Sequence, residues 1–484
     1  MVAESGGSGP RHGGGAFRGR AVRGTVRAPV RGAAVMTGAH RSGGAGRRRH
    51  VRWWILCTVV AVVIAAAVSF SRPDAPTGPR KQYFFGTLQT SPRTARADEA
   101  RGMRVAHLTV QWDRFAPAPG RVDRRYVASL ERELRMFRAE GLRVEAGVGL
   151  NTPPSWLLDR YPEDSFTDQR GARFTSSPNL VFSQEIRNEV AGYLRQLDGA
   201  IGLDNFWAIR VGVNDTGEFA YPPPAASDRG PLSYWAYDRH AQAGGADPGR
   251  PPTIPPNPYP GWRPGQRTHD GAAFGTREVS RWYEWYLGAL ADAVNWQTGQ
   301  YEALGYRGHL LVLIPGAGFH PGDLSAAVDG HLRNTAAGGL ISRGAGFFRT
   351  VALIQHRRDV QLVSTALVDG SGTPRDNACR PSDTNVTPDA LTPAQEARVR
   401  AWSSVRWIAR IAAREGFPLS GESAGPHVAA YYPGVMNRAG RQLKSCGLMG
   451  LMWAFDHNLY DGTPGSSLGD YASVIAKLQK GDTP

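Results

Sequence analysis

Lysine and cysteine are almost absent from this 484-residue chain: four Lys stand against 53 Arg, and there are three Cys. The arginine excess reads as codon bias from a GC-rich genome. With no CxxC pair and no Cys/His cluster, neither a structural zinc site nor any other metal centre is expected. Acids are scarce in one place only: residues 1–52 hold eleven Arg and the single acid Glu4. About +10 of the formal net charge of +15 therefore sits in this tail, and the rest of the chain is mildly basic with no basic block. No aromatic platform or folded nucleic-acid module accompanies the tail, so nucleic acid is not an expected partner. A Gly-rich phosphate fingerprint after the first apolar run is missing too, which leaves a doubly wound open sheet as the runner-up fold and gives no sign of a cofactor.

What is present begins with one long uncharged run, "WWILCTVVAVVIAAAVSF", residues 53–70. It meets the lower length of a spanning helix, given a bilayer core of roughly 30 Å. Arg47, Arg48, Arg49 and Arg52 flank its N-terminal side, which the positive-inside rule reads as a cytoplasmic tail and an exported body. An uncleaved signal-anchor is the preferred reading, and a signal peptide cut near Ala67-x-Ser69 is the other. Met36 is an alternative start, because "MTGAHRSGGAGRRRHVRWW" already forms a complete export signal. The expected organisation is a basic tail over 1–52, a membrane or signal segment over 53–70, a linker over 71–82 and a catalytic-type domain over 83–480. Cys57 lies in the apolar run, so Cys379 and Cys446 remain for an exported body, where a disulfide is permitted but not dictated by their spacing.

Beyond the linker, apolar β-branched runs alternate with segments of helical spacing. The predicted strands cover 83–89, 104–112, 143–150, 207–214, 309–316, 360–368, 418–423 and 448–455. Between them, helices are expected over 124–141, 183–197, 280–305 and 393–416. Eight strand–helix units over about 400 residues fit a (β/α)₈ TIM barrel. The interval 222–274 breaks the rhythm with twelve Pro; an insertion of that length after strand four is expected to lie over the catalytic face.

Active sites of such barrels form at the C-terminal strand ends. The polar residues there are Asp113, Asn151, Asn214, Asp215, Glu218, His320, Asp369, Glu422, Asp456 and His457, with Trp112 and Trp453 among them. Acids after strands four and seven, with amides and aromatics around them, suit glycoside hydrolysis, which needs one carboxylic acid to protonate the leaving oxygen and a second carboxylate as nucleophile or base. No Ser-His-Asp ordering with a nucleophile elbow is expected at "GESAG".

The stretch "WDRFAPAPGRVDRRYVASLERELRMFRAEGLRVEAGVGLNTPPSWLLDRYPE", with Pro153, Pro154, Trp156 and Leu157 after strand three, resembles the second and third strand–helix units of glycoside hydrolase family 42, the β-galactosidase-type barrels of clan A. The similarity covers roughly residues 83–220; "LSGESAG" and "LMWAFDHNLYDG" look like clan A barrels more generally. That resemblance implies an acid/base Glu after strand four, commonly preceded by Asn, and a nucleophilic Glu ending strand seven, where Glu422 falls. At strand four the usual Asn-Glu is Asn214-Asp215 here. "TGEFAYP" is also similar to the strand-four motif of β-amylases, and in that register Glu218 is the acid. Glu218 is thus the first choice for general acid and Asp215 the second.

The expectation is a single-pass membrane-anchored or secreted TIM-barrel glycoside hydrolase acting on a β-linked carbohydrate, without cofactor or metal. Retention is preferred, and β-amylase-like inversion or a degenerate carbohydrate-binding barrel are the alternatives. Glu218, Glu422 and Asp215 are the catalytic candidates; Trp112, Asn151, Trp156, Asn214, Tyr221, Trp453 and His457 are the substrate-binding ones.

Overall fold

A barrel strand meets apolar surroundings on both sides, helices outside and packed side chains inside, so its sequence is apolar almost throughout. In the computed structural model, which describes residues 82–224, 232–333, 337–369, 372 and 377–484, eight such runs form parallel strands. These are β1 (Phe84–Thr87), β2 (Val105–Thr109), β3 (Arg143–Gly147), β4 (Ala208–Val211), β5 (His309–Ile314), β6 (Val360–Ser364), β7 (Leu419–Glu422) and β8 (Gly450–Trp453). Neighbours pair in chain order, and β8 closes on β1 in a register running from Phe84↔Gly450 to Thr87↔Trp453. The fold is a closed (β/α)₈ barrel. The predicted tail, the apolar segment 53–70 and the linker up to residue 81 lie outside the described residues. Among the described residues no helix is long and apolar enough to cross a membrane.

The helices follow their local chemistry. Arg124–Ala139 starts where Asp123 accepts the backbone N–H groups of Arg125 and Tyr126, and it buries Tyr126, Val127, Leu130, Leu134 and Phe137 at helical spacing. Gln184–Ile201 is capped by Ser183, whose hydroxyl accepts from Ile186 N. The helix expected over 393–416 is two helices, Pro393–Val399 and Ser404–Glu415. The break has a cause: Ser403 takes an extended conformation and caps the second helix by accepting from Arg406 N.

The Pro-rich insertion follows β4 in the chain, as expected. None of its described residues lines the cleft at the strand ends. It packs instead on the long helix Thr276–Ala303. Tyr234 and Trp262 from the insertion meet Trp282 at ring separations of 5.9 and 5.3 Å, and Trp282 stacks on Tyr286 at 5.3 Å. The Pro residues limit regular structure in the segment to one two-residue antiparallel pair, Thr268–His269 with Ala272–Ala273, and its aromatic side chains bury themselves against the nearest apolar helix face.

Cys379 and Cys446 form a disulfide that ties the loop after β6 to the end of helix Val435–Ser445. Inside the barrel, Phe84, Val105 and Met452 pack in one apolar group, Ala208, Leu311, Leu313 and Val363 in another, and Trp207 packs against both. Above this plug the inward positions change character: His107 on β2, Glu145 on β3 and Glu422 on β7 are buried and polar or charged, and Arg210 on β4 is half-buried among them.

Candidate active site

The inward side chains and the loops that follow them enclose a cleft of about 720 Å³ at the C-terminal end of the barrel. Its floor is Arg210. From the fourth strand this guanidinium donates through Nη1 to Glu422 Oε2 (2.8 Å) and through Nη2 to Glu422 Oε1 (3.2 Å), while Nη1 also reaches Glu145 Oε1 (2.9 Å). Burial alone would lower the pKa of Arg210, but the two carboxylates outweigh it and hold it above the ordinary arginine value. Burial pushes Glu145 upward, and Arg210 works against that shift. His107 is forced down to about 3, first by burial and then by Arg210. It is therefore the neutral imidazole. Its Nδ1 accepts from Gln89 N at 3.2 Å, which leaves the proton on Nε2, a donor on the cleft wall.

The second acid comes from the loop after β4. Gly212 and Gly217 make this loop possible. A Cβ on Gly212 would sit 2.0 Å from Gly217 O, and Gly217 itself has φ +74°. The loop folds back so that Val213 N donates to Glu218 O (2.9 Å), and Asn214 Oδ1 accepts from Thr216 N (3.1 Å) and Glu218 N (2.8 Å). Glu218 thereby enters the cleft, with its Oε1 2.8 Å from Thr365 Oγ1 and its Oε2 2.7 Å from Thr216 Oγ1. The Thr216 hydroxyl is also 2.8 Å from Asn214 Oδ1. It can turn its one proton to either acceptor, so Glu218 is hydrogen-bonded both as carboxylate and as carboxylic acid.

Asn214 lines the cleft, and its Nδ2 is buried with no hydrogen-bond partner among the described residues. Asn151 lines it as well and donates from Nδ2 to Asp215 O (3.0 Å). Asp215 is not on the cleft wall, and one of its carboxylate oxygens is buried without a partner. Asp369 lines the cleft and accepts from Ser404 Oγ at 2.5 Å.

The aromatic candidates fall elsewhere. Trp453 alternates with Met452 and Ala454, which point inward, so its ring points out to the helix layer; it is fully buried and donates Nε1–H to Ser466 Oγ. Trp112 is buried and stacks on Tyr193 at 4.7 Å. Trp156 donates to Ala116 O beside Trp112, and Tyr221 is buried, donating to Tyr286 O. All four are off the cleft wall. The aromatic side chain that does line it is Phe455, sandwiched between His427 and the exposed His457 with ring centroids 5.7 Å from each. His457 thus backs the wall without forming it. Asp113 is exposed, His320 stacks on Trp407, and Asp456 is a buried pin that accepts from Thr87, Ser91 and Thr94. Residues 421–425 do fit G-x-S-x-G, yet the Ser423 hydroxyl accepts from Ala454 N (2.9 Å) and meets Tyr431 Oη (3.2 Å), with no histidine among its partners.

Among the described residues one group, Asp164, Glu185 and His240, brings metal-ligating atoms within 4.8 Å of one another. It lies off the cleft wall, and Arg239 already meets Asp164 Oδ1 at 3.0 Å and His240 Nε2 at 3.1 Å. Arg239 already supplies the cation, and the group works as a polar clasp between the insertion and the loop before helix Gln184–Ile201.

Two curated proteins are similar to the chain over 108 residues: a β-galactosidase of Thermus thermophilus at 34% identity and the β-galactosidase BgaA of a Thermus species at 38%, each match covering 21% of this chain. The match spans about a sixth of the length of those relatives (16%). No family model matches the chain. Among solved structures, the catalytic domain of β-amylase from Paenibacillus polymyxa superposes over 84% of this chain and 99% of its own, with a TM-score of 0.50 and 16% identity, a likeness of fold. The chain is therefore a (β/α)₈ barrel that resembles, over part of its length, the β-galactosidase-type barrels.

Proposed function

We propose that the protein is a glycoside hydrolase in which Glu218 is the general acid/base and Glu422 the nucleophile, acting on a β-linked glycoside with retention. The observation that carries this is that these two carboxylates, from the loop after β4 and the end of β7, line the same cleft. Glu218 is bonded by hydroxyls that serve it in either protonation state, as a group that gives and later takes a proton requires. Both oxygens of Glu422 accept from Arg210. An anion anchored in this way suits attack at the anomeric carbon better than removal of a proton from water, and this supports retention over inversion. His107 Nε2 supplies a donor for a sugar hydroxyl. The β-galactosidase names of the partial relatives support a β-galactoside-like substrate.

The reading is tested by hydrolysis of a panel of chromogenic glycosides, beside Glu218→Gln, Glu422→Gln and Asp215→Asn. Loss of more than about 10³-fold in both Gln variants, against little change in Asp215→Asn, is the expected result. A wild type that binds sugars yet cleaves none would replace the hydrolase with a carbohydrate-binding barrel. An exported, membrane-attached location belongs to the same proposal; the disulfide supports an oxidising compartment. Sequencing the mature N-terminus separates anchor from cleaved signal.

A further inference from the structure

Glu145 is the one buried acid of the barrel interior for which the proposed chemistry has no use. It sits on β3 next to His107 and is 1% exposed, and Arg210 is its only hydrogen-bond partner among the described residues. Stability does not account for it. Burying a carboxylate against a guanidinium costs about as much desolvation as the pair returns, and apolar residues of similar volume usually serve as well. Directly below, this barrel uses such apolar residues. Nor is Glu145 needed to neutralise Arg210, since Glu422 already does so with two hydrogen bonds.

The consequence lies in the charge count. Arg210 and Glu422 alone would be a neutral pair, with the electron density of the nucleophile drawn toward the guanidinium. Adding Glu145 makes the cluster one guanidinium between two carboxylates, with a net charge of −1. The shared atom is specific: Nη1 donates both to Glu145 Oε1 (2.9 Å) and to Glu422 Oε2 (2.8 Å). No other group supplies the missing charge. His107, the neighbour on β2, is neutral, and Tyr306, the further titratable group whose charge couples to Glu145, keeps its phenol proton because burial raises its pKa.

Resting on the assignment of Glu422 above, we propose that Glu145 is a positioning residue: a second anion on Arg210 that divides the guanidinium's hydrogen bonding and charge, so that Glu422 stays fixed yet electron-rich enough to attack. The same net negative charge under the cleft floor favours the positive charge that develops on the sugar ring in the transition state.

The test is Glu145→Gln in the full chain, since the amide oxygen can still accept from Arg210 Nη1 while the charge is gone. Two readouts are taken. In protein labelled with ¹³Cδ-glutamate, the Glu422 carboxyl is identified by its loss in Glu422→Gln, and its titration midpoint is expected to fall by roughly one pH unit in Glu145→Gln. In hydrolysis, kcat is expected to fall about tenfold with KM nearly unchanged, the acidic limb of the pH profile to move to lower pH, and Glu145→Asp to recover much of both. A Glu422 titration unmoved by Glu145→Gln overturns the proposal, as does a lower melting temperature with an unchanged pH profile, which would make Glu145 a packing residue. If the wild type cleaves no glycoside, the hydrolase reading fails by itself, while the carboxyl titration still decides whether Glu145 acts on Glu422. Should the Gln variant fail to fold, Glu145→Asp draws the charge back from Arg210, and the same midpoint must move the same way by a smaller amount.

Discussion

Asp98 shows what one carboxyl can do to the stability of this barrel. It lies on the short helix after β1, 1% exposed, with the Tyr460 hydroxyl donating to its Oδ1 at 2.5 Å. Burial and then the nearby charge of Asp456 push its pKa up to about 7. Because the folded value stands above the unfolded one of about 3.9, the fold favours the protonated acid. The stability this gives is complete below about pH 4 and is lost as pH rises through about 7. Asp98→Asn, which imitates the neutral acid, is expected to lessen that loss, seen as a smaller drop in urea midpoint between pH 4 and pH 8 than the wild type shows. Equal drops would mean that Asp98 is ionised in the fold. The two proposed catalytic acids were easier to find than this one, because Glu218 and Glu422 stand at strand ends, where a barrel puts its chemistry. Arg210 and Glu145 are not strand-end residues: Arg210 is the one charge of β4, and Glu145 stands between Val144 and Ala146 in β3. Their signal was parity: they share the inward side with Gly212 and Gly147, which line the cleft.

At the scale of elements, the eight strands were legible because apolar runs bounded by turn residues are a strong pattern, but their ends were not. The run 143–150 stays apolar through Val148 and Leu150, while pairing in β3 stops at Gly147, where the chain turns to line the cleft. Aromatic residues misled for a related reason. A Trp at a strand end reads equally as a sugar platform or as packing, and Trp453 is decided by alternation alone. The insertion is an element of its own, held by rings. Trp282 contacts Tyr234, Trp262, Trp285 and Tyr286. Trp282→Ala is expected to cost about 3–5 kcal/mol, and limited proteolysis should then cut the 232–274 segment first. If cleavage instead starts in the barrel loops, the insertion is anchored elsewhere.

For the whole molecule, the disulfide closes a sequence separation of 67 residues across two consecutive strand–helix units. Replacing both Cys379 and Cys446 by Ser is expected to lower stability by about 2–5 kcal/mol, and a reductant should produce the same shift in the wild type without affecting the double variant. Identical melting curves in all three conditions would show that the bridge does not form in solution.

The apolar plug around Trp207 has a consequence for traffic. Below Arg210 and its carboxylates the described residues fill the barrel with apolar side chains, so the cleft is closed at its floor. Whatever enters must back out the way it came. A departing fragment and the next arrival compete for the same doorway, so the rim formed by Phe455, His427 and Val428 governs exit as much as entry.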